Sequence, residues 1–357
     1  MKQDQKKRIC ILFGGVSPEH EVSLSTATSI LNNIDRSLFE IYPVGITKDG
    51  KWYLYTGDVS LLADGRWETS GKTVPAILSP VRGDGLLVFE NDNVTRIKID
   101  CVFPALHGEN GEDGSMQGLC SIAGIPCVGA MVAASAVSMD KVLTKSVVQR
   151  LGIRQADYVV ITRHEASRGF DDIVGRIESA FSYPVFVKPS NTGSSVGISK
   201  AKSSTELVEA IAGALRYSDK VLVEEFFDGR EIEVAVLGND TPQASVCGEI
   251  KPGDEFYTYE DKYINGVATL HIPADLPEET SEKVRQYACE IYSAIGCAGL
   301  SRVDFFVHKT TGEICFNEIN TMPGFTPISM YPKLWEYCGI PYTELITRLI
   351  MLALDEK

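Results

Sequence analysis

The stretch GEICFNEINTMPG (residues 312–324) ends an apolar run with an acid, one spacer and an amide, directly before a Pro-Gly break. Side chains alternate faces along a β-strand, so Glu318 and Asn320, two residues apart, point the same way. A strand end that faces solvent could carry this pair without a function. The residues upstream decide between that interpretation and a binding site.

A second apolar run, GLSRVDFFVH (residues 299–308), is followed by KTTG, which is typical of a turn. The two runs are predicted to pair as an antiparallel hairpin, for which several registers are possible. One register sets Asp304 directly opposite Glu318, with Arg302 beside them. Two acids side by side are unfavourable without a cation, and Mg²⁺ commonly binds through one or two carboxylates together with substrate phosphates. The hairpin therefore predicts a magnesium site, provided that the chain also binds a phosphate.

The segment FVKPSNTGSSVGISK (residues 186–200) meets that condition. Lys188 ends an apolar run, and a loop rich in Gly and Ser follows it. Small residues let backbone N–H groups approach phosphate oxygens, hydroxyls add donors, and a lysine supplies a point charge. The lysine precedes the loop, so the segment is not a Walker A motif. The alternative is a mobile surface turn, which the separate acid and amide set disfavours.

The composition excludes several classes of function. The chain has 357 residues and a net charge of −14, which argues against general binding to nucleic acid or anionic membranes. Nine scattered cysteines without a C-x-x-C pair are predicted to be reduced, mostly buried thiols of a cytoplasmic protein. No run approaches the roughly 20 apolar residues of a membrane span. The amino-terminal apolar run is only about five residues long, which is too short for a signal peptide.

Strand and helix patterns alternate in the first third of the chain, which predicts a parallel βαβ domain at residues 1–133. This alternation includes a short strand at IPCVG. Residues 35–98 are irregular apart from the strand-like FEIYPVGIT. The double glycine at positions 14 and 15 lacks the third glycine of the dinucleotide fingerprint, so a nicotinamide-binding domain is disfavoured.

Two further units are predicted, at residues 134–228 and 229–357. The first begins with an amphipathic segment (residues 135–152) that ends at Gly152, where a helix C-cap glycine belongs. It continues with strands and the lysine-glycine segment described above. The last unit contains two more strands, a helix with apolar positions at i, i+3 and i+4 spacing, and the acidic hairpin.

Five segments in chain order resemble the signatures of the ATP-grasp superfamily: SMDK, VKPSNTGSSVG, VEEFFDGREIEV, SRVDFF and EINTMPGFTPIS. HEVS, ALHGENGEDG and EFYTYEDKY are similar to segments of the D-alanine–D-alanine ligases, and residues 35–98 resemble the larger subgroup of these enzymes. The resemblance implies an α/β, three-domain ATP-grasp fold with an amino-terminal parallel βαβ domain. It also implies an ADP-forming ligation of two D-alanines through a D-alanyl phosphate, for peptidoglycan precursor synthesis.

The resemblance further implies that ATP lies between the second and third units. The nucleotide-binding residues would be Lys141, Lys188, Ser195, Glu224, Glu225, Phe227, Glu231 and Lys262. Lysines would contact the phosphates, the backbone around residues 224–227 the adenine, and Glu231 the ribose. Two Mg²⁺ or Mn²⁺ ions would be held by Asp304, Glu318 and Asn320.

The substrate and catalytic residues that the resemblance implies are Glu21, His107, Ser194, Tyr263, Arg302, Gly324, Ser329 and Met330. Glu21 would hold the ammonium of the first D-alanine, and Arg302 with the Gly324 N–H would stabilise the oxyanion. Ser194, Tyr263 and Glu21 would form a hydrogen-bonded set that closes two loops over the reactants. Ser329 would hold the carboxylate of the second D-alanine. A homodimer is also implied.

Structural alternatives exist for several of these roles. Glu21 could satisfy the dipole of a helix N-terminus, His107 and Met330 could simply pack, and chemistry alone does not distinguish Ser194 from Ser195. The alternative functions are another ATP-grasp ligase, a ligase that makes D-alanyl-D-lactate or D-alanyl-D-serine, and a non-catalytic nucleotide-binding protein. Neither Tyr263 nor Met330 is cationic at neutral pH, which favours D-alanine over D-lactate as second substrate.

Overall fold

The computed structural model describes residues 6–193, 196–251, 269–326 and 328–355. These residues form three β-sheets with helices packed against them. Each sheet falls within one of the three predicted units, whose bounds stay a prediction. Among the residues that the structure describes, no helix is long and apolar enough to cross a lipid bilayer.

The first sheet has seven strands: β1 (Lys7–Gly14), β2 (Phe39–Ile46), β3 (Trp52–Tyr55), β4 (Thr73–Leu78), β5 (Leu86–Glu90), β6 (Asn93–Ile97) and β7 (Cys101–Pro104). Their order is β6-β5-β4-β3-β2-β1-β7. Strand β1 pairs in parallel with both β2 and β7. Helix α1 (His20–Asn33) follows β1, and helix α2 (Ser115–Ala123) follows β7. The predicted parallel βαβ core is therefore confirmed, although IPCVG contributes only an isolated bridge, between Cys127 and Val102, instead of a strand.

The prediction that residues 35–98 are mostly irregular is wrong. Strands β3 to β6 form an antiparallel meander that extends the sheet beyond β2. These strands have only four to six residues each, and apolar residues of the outer ones are exposed, so no clear alternation marks them. Trp67, which lies between β3 and β4 in the chain, is fully buried against Phe13 and Tyr55.

The second sheet is antiparallel and has the order β10-β9-β11-β8. Its strands are β8 (Tyr158–Thr162), β9 (Val185–Pro189), β10 (Ser199–Ala201) and β11 (Lys220–Glu225). The helices of this region are α3 (Val132–Met139), α4 (Lys141–Val148), α5 (Arg163–Ala166), α6 (Asp171–Ala180) and α7 (Ser204–Ala214).

The predicted amphipathic segment at 135–152 is two helices instead of one. Asp140 has extended backbone angles, and its carboxylate accepts hydrogen bonds from the Val142 and Leu143 N–H groups. Asp140 therefore ends α3 and caps α4, because an acid at this position satisfies the first free donors of a helix. Gly152 ends the following turn with a φ of 70°, as predicted.

The third sheet has the order β14-β13-β12-β15-β16 and is antiparallel throughout. Its strands are β12 (Gly229–Leu237), β13 (Gln243–Lys251), β14 (Thr269–His271), β15 (Leu300–His308) and β16 (Ile314–Asn320). Helix α8 (Glu278–Ile295) buries its predicted apolar side in the core. The chain closes with α9 (Met330–Tyr337) and α10 (Tyr342–Asp355).

The last helix joins the third unit to the first. Leu345 and Leu349 of α10 share one buried cluster with Ile9 and Ile11 of β1. Burial of apolar side chains is the main favourable term in such packing. All nine cysteines are free and seven are buried, which confirms the prediction of mostly buried thiols.

Candidate active site

A cavity of about 530 Å³ lies between the second and third sheets, and residues of β9, β11, β12 and β16 line it. Its lining combines lysines, carboxylates and aromatic rings. The predicted nucleotide residues among the lining are Lys141, Lys188, Glu224, Glu225, Phe227 and Glu231, and the predicted metal ligand Glu318 lies there too. The structure therefore brings together residues from three segments that are far apart in the chain.

The hairpin of β15 and β16 adopts the register that sets Asp304 opposite Glu318 and Arg302 opposite Asn320. One of the registers left open by the sequence is thus confirmed. The next pair along the hairpin is Phe305 with Phe316, so Asn317 is an extra residue, a β-bulge. The bulge explains why Asn317 and Glu318, neighbours in the chain, both line the cavity.

The Asp304 carboxylate of the hairpin is held by an arginine. Arg302 donates two hydrogen bonds to Asp304, at 2.8 and 2.7 Å, and lies 3.1 Å from Glu233 Oε1 on β12. The Asn320 amide also donates to Asp304, at 3.1 Å. Burial alone would lower the pKa of Arg302, but Asp304 and Glu233 raise it well above its ordinary value. We call Arg302, Glu233, Asp304 and Glu318 the acidic cluster.

The donor set of the hairpin fits a hard divalent cation. Asp304, Glu318 and Asn320 offer two carboxylates and an amide, and oxygen atoms are the ligands that Mg²⁺ prefers. Within the described ranges, no group of three or more His, Cys, Asp or Glu side chains could hold a metal ion by itself. Mg²⁺ sites commonly use one or two carboxylates and take their other ligands from phosphates and water.

A second charged cluster lies beside the same cavity, which two of its three residues line. Glu224 on β11 is buried, and its two carboxylate oxygens lie 2.9 Å from Lys145 Nζ and 2.6 Å from Lys188 Nζ. Burial alone would raise the pKa of Glu224, but the two lysines lower it to about 2. Lys188 also donates to Asn317 Oδ1 at 3.2 Å. We call Lys145, Lys188 and Glu224 the lysine cluster; it carries two positive charges and one negative charge.

Lys141 links the glycine-rich segment to the hairpin. It is the first residue of α4, and its Nζ donates to the Thr192 carbonyl at 2.7 Å and lies 3.8 Å from Glu318 Oε2. Its backbone N–H donates to the Ser190 carbonyl at 2.9 Å. Asp140 accepts from Ser190 Oγ at 2.6 Å and is paired with Lys220. The start of α4 is therefore fastened to the residues just before the predicted phosphate loop.

The predicted adenine and ribose residues Glu224, Glu225, Phe227 and Glu231 line the same cavity. Glu225 accepts a hydrogen bond from the Asp157 N–H at 3.0 Å and is paired with Arg154. The ring of Phe227 stacks on Phe306, with 6.4 Å between the centroids. An apolar ring in the lining of a cavity suits a planar heterocycle.

The first unit contributes residues near the loops of the site. His107 is buried, with Nε2 2.9 Å from Thr26 Oγ1 and Nδ1 3.1 Å from Glu112 Oε1. Burial alone would lower the pKa of His107, but its hydrogen bond to Glu112 raises it. Glu21, in the first turn of α1, is paired with Lys48, and 61% of its side chain is exposed. The predicted contacts of Glu21 and His107 with a substrate stay predictions.

Gly324 and Ser329 are brought together after the hairpin. Ser329 Oγ accepts from the Thr326 N–H at 3.1 Å and lies 2.8 Å from Thr326 Oγ1. A Cβ on Gly324 would lie only 2.8 Å from Ser329 Oγ, so a glycine suits this position. Met330 begins α9, is 3% exposed and packs against Gly248 in the core. The predicted roles of these three residues are not tested by the packing. Ser194, Ser195, Lys262 and Tyr263 lie outside the described residues.

Sequence reasoning missed several residues of the site. Lys145 lies one turn after Lys141 on α4, and this i+4 spacing was a usable signal. Glu233 is two residues after Glu231 on β12, which is the same alternation that selected Glu318 and Asn320. Asn317 joins the lining only because of the bulge. Glu19 is buried beside the glycine-rich segment, since a Cβ on Gly193 would lie 3.4 Å from its carboxylate.

Comparisons with known proteins cover almost the whole chain. The family model for the D-Ala–D-Ala ligase N-terminus matches residues 8–130, and that for the D-Ala–D-Ala ligase C-terminus matches residues 147–351. The D-alanine–D-alanine ligase of Acetivibrio thermocellus is 53% identical, with 98% of this chain and 96% of the relative covered. The D-alanine–D-alanine ligase of Caldicellulosiruptor bescii is 51% identical, with 99% and 96% covered.

Solved structures give the same result for the fold. The VanG D-Ala:D-Ser ligase from Enterococcus faecalis superposes with a TM-score of 0.89 at 39% identity, covering 98% of this chain and 100% of the other. The D-alanine–D-alanine ligase from Coxiella burnetii superposes with a TM-score of 0.85 at 37% identity, covering 98% and 94%. The predicted ATP-grasp fold is therefore confirmed, and the chain belongs to the D-alanine–D-alanine ligase family.

Proposed function

We propose that this chain joins two D-alanines with ATP, through D-alanyl phosphate, to form D-alanyl-D-alanine for peptidoglycan precursors. The observation that carries the proposal is the cavity between the second and third sheets, which is lined by Lys188 and Glu224 of the lysine cluster and by Glu318 of the acidic cluster. A non-catalytic nucleotide-binding protein needs no acidic cluster of this kind. Another ATP-grasp ligase would not share near 50% identity over its full length with enzymes named for D-alanine.

The nucleotide occupies this cavity. Its adenine lies against the backbone of residues 224–227 and the ring of Phe227, its ribose meets Glu231, and its phosphates approach Lys141 and Lys188. The lysine cluster supports this orientation of the nucleotide, because its surplus positive charge favours the anionic phosphates. Ser195 and Lys262 complete the phosphate contacts from the two loops.

Asp304, Glu318 and Asn320 would hold two Mg²⁺ or Mn²⁺ ions. When bound, such ions neutralise the charge of the phosphates and help to orient them. The protein's own contribution is to fix the ligands before the nucleotide arrives. Arg302 and Asn320 hold both oxygens of Asp304, and the bulge at Asn317 turns Glu318 toward the cavity.

The chemistry proceeds in two transfers. A carboxylate oxygen of the first D-alanine attacks the γ-phosphorus of ATP, and ADP leaves with the electron pair of the broken P–O bond. The amine of the second D-alanine then attacks the acyl carbon, loses a proton and expels phosphate. Arg302 and the Gly324 N–H stabilise the oxyanion of the tetrahedral intermediate.

The remaining residues bind the two amino acids and exclude water. Glu21 holds the ammonium of the first D-alanine, with His107 beside it, and Ser329 holds the carboxylate of the second. Ser194 and Tyr263 join Glu21 to close the loops, which protects the acyl phosphate from hydrolysis. The exposed pair of Glu21 with Lys48 is readily exchanged for a substrate ammonium, because surface ion pairs are weak.

D-Alanine is the second substrate rather than D-lactate or D-serine. Tyr263 and Met330 bring no positive charge that would attract the anionic D-lactate. Two relatives above 50% identity are D-alanine–D-alanine ligases, whereas the D-Ala:D-Ser ligase is 39% identical. The family also supports a homodimer in the cytoplasm. Light scattering of the purified protein would test whether the chain forms a dimer.

The experiment is an ADP-release assay with ATP, Mg²⁺ and equal concentrations of D-alanine and one competitor, D-lactate or D-serine, near pH 7. We expect ADP only in the presence of D-alanine, and mass spectrometry should identify D-alanyl-D-alanine as the main product. ADP release without D-alanine, or a predominant mixed product, would contradict the proposal.

A further inference from the structure

Lys145 is a buried lysine to which the reaction assigns no role. It lies on α4, only 3% of its side chain is exposed, and its Nζ donates to the Ala156 carbonyl at 3.2 Å. The ammonium also lies 5.2 Å from the centroid of the Tyr158 ring, a cation–π distance. Lysines are almost never fully buried unless they are paired, and the partner of this one is Glu224.

Glu224 is shared between two lysines, with one oxygen for each. Oε1 lies 2.9 Å from Lys145 Nζ, and Oε2 lies 2.6 Å from Lys188 Nζ. Lys145 does not line the cavity among the described residues, whereas Lys188 and Glu224 do. Lys145 thus neutralises the Glu224 carboxylate from outside the cavity. The positive charge of Lys188 is then not compensated and lies in the cavity lining.

A backbone contact gives Lys145 a second link to the site. Its carbonyl accepts a hydrogen bond from Gln155 Nε2 at 2.9 Å, and Gln155 pairs with Phe316 on β16 through an isolated bridge. Phe316 directly precedes the bulge residue Asn317, which accepts from Lys188. Lys145 therefore contacts both supports of Lys188: its carboxylate partner and, through Gln155, the strand that carries its amide partner.

We propose that Lys145 is a positioning residue for the nucleotide, which neutralises Glu224 so that the Lys188 ammonium serves an anionic phosphate instead of the carboxylate. The inference rests on the proposed function, in which a nucleoside di- or triphosphate fills the cavity. Without Lys145, Glu224 and Lys188 form a neutral pair, and the cavity loses the surplus charge that attracts phosphate.

The test uses four variants of the full chain. Lys145→Met removes the charge, and Lys145→Arg keeps it. The double variant Lys145→Met/Glu224→Gln removes the lysine and the carboxylate together, which restores one positive charge on Lys188. Val148→Ala is the matched control, since Val148 lies on the same helix and is fully buried but uncharged. The readouts are ADP affinity by calorimetry without D-alanine, KM for ATP and D-alanine, kcat, and the thermal midpoint.

We expect Lys145→Met to weaken ADP binding and raise KM for ATP at least about tenfold. KM for D-alanine and kcat should change little, because the interaction is made equally in ground and transition states. Lys145→Arg and the double variant should both bind ADP more tightly than Lys145→Met. Val148→Ala should lower the thermal midpoint and leave ADP affinity unchanged.

Two results would overturn the inference. One is ADP affinity in folded Lys145→Met equal to that of the wild type. The other is a double variant that binds ADP no better than Lys145→Met, which would assign Lys145 a purely structural role. If Lys145→Met does not fold, the ADP affinities of Lys145→Arg and of the double variant are compared with that of the wild type. The inference then predicts that both variants bind ADP about as tightly as the wild type, and a large loss of affinity in the double variant would overturn it. Absence of ligation by the wild type would instead contradict the proposed function, since ADP binding is measured without D-alanine.

Discussion

The lysine cluster and the acidic cluster are built from the same kinds of contact but have opposite signs. In the lysine cluster one carboxylate, Glu224, lies between two ammonium groups at 2.9 and 2.6 Å. In the acidic cluster one guanidinium, Arg302, lies 2.7 Å from Asp304 and 3.1 Å from Glu233, and Glu318 adds a further negative charge. The first retains a positive charge and the second a negative charge.

The difference shows how a cavity can bind both a polyanion and its counterion. A buried charge is costly unless it is paired, so each cluster is partly compensated within the protein. The uncompensated charge is positive on the side of β9 and β11. It is negative on the side of β15 and β16. Lys188 and Asn317 join the two sides at 3.2 Å. The phosphates and the cations of the proposed reaction each have a side that favours them.

The largest effect is expected when the acidic cluster loses a charge. Glu318→Gln keeps the shape of the side chain and should lower kcat about a hundredfold or more, which corresponds to roughly 3 kcal/mol of transition-state stabilisation. Glu313→Gln, on the turn of the same hairpin with 51% of its side chain exposed, is the matched control and should keep its activity. Steady-state rates at saturating Mg²⁺ check this. Equal rates for the two variants would refute the assignment of Glu318.

A smaller effect is expected on the opposite side of the cavity. Lys188→Met should raise KM for ATP by on the order of 30-fold, because truncating one member of a buried charge pair costs about 2 kcal/mol or more. Lys283→Met on α8, whose lysine lies over the Tyr287 ring away from the cavity, serves as control. An unchanged KM for ATP in Lys188→Met, with a fall in kcat alone, would place the lysine elsewhere in the reaction.

The two sides of this comparison differ in how far the sequence could predict them. The Asp304–Glu318 register was one of several allowed by the turn, and the sequence did not choose between them. The bulge at Asn317 could not be predicted, since it depends on how β16 meets the neighbouring unit, where the Phe316 N–H donates to the Arg154 carbonyl at 2.8 Å. The alternation of side chains predicts which face of a strand a residue lies on, but it does not predict where a bulge inserts an extra residue.

The lysine cluster was only half predictable. Lys188 stands next to a glycine-rich loop, which marks it, whereas Lys145 has the appearance of an ordinary helix lysine. Its burial depends on the contact with Glu224, which belongs to a strand far along the chain. A single sequence does not show that the two residues are in contact. The meander of residues 35–98 was missed for a different reason: its strands are short and partly exposed, as Val94 on β6 shows.

The charge of Glu224 gives a pH-dependent prediction. Its pKa is about 2 in the folded protein against an ordinary value of 4.5. A lowered folded pKa contributes stability above pH 4.5 that is lost as pH falls toward 2. The difference in unfolding free energy between wild type and Glu224→Gln should therefore shrink by about 1 kcal/mol between pH 6 and pH 3.5. Urea unfolding at the two pH values measures it. A constant or growing difference would contradict the paired state of Glu224.

The smallest effect is expected outside both clusters. Lys48→Ala removes the exposed partner of Glu21 and should change stability by less than about 0.5 kcal/mol. Glu21→Gln should be equally mild for stability but should raise KM for D-alanine, since Glu21 is proposed to hold the substrate ammonium. Thermal unfolding and steady-state kinetics separate the two effects. A large loss of stability in either variant would show that the pair is structural.

The most direct test of the opposite charges is calorimetric titration of ADP with and without Mg²⁺. We predict that Lys188→Met weakens ADP binding under both conditions, because it removes charge from the side that holds phosphate. Glu318→Gln should bind free ADP at least as tightly as the wild type and should lose most of the gain in affinity that Mg²⁺ provides. A Glu318→Gln variant with the full Mg²⁺-dependent gain, or a Lys188→Met variant with unchanged ADP affinity, would contradict the account.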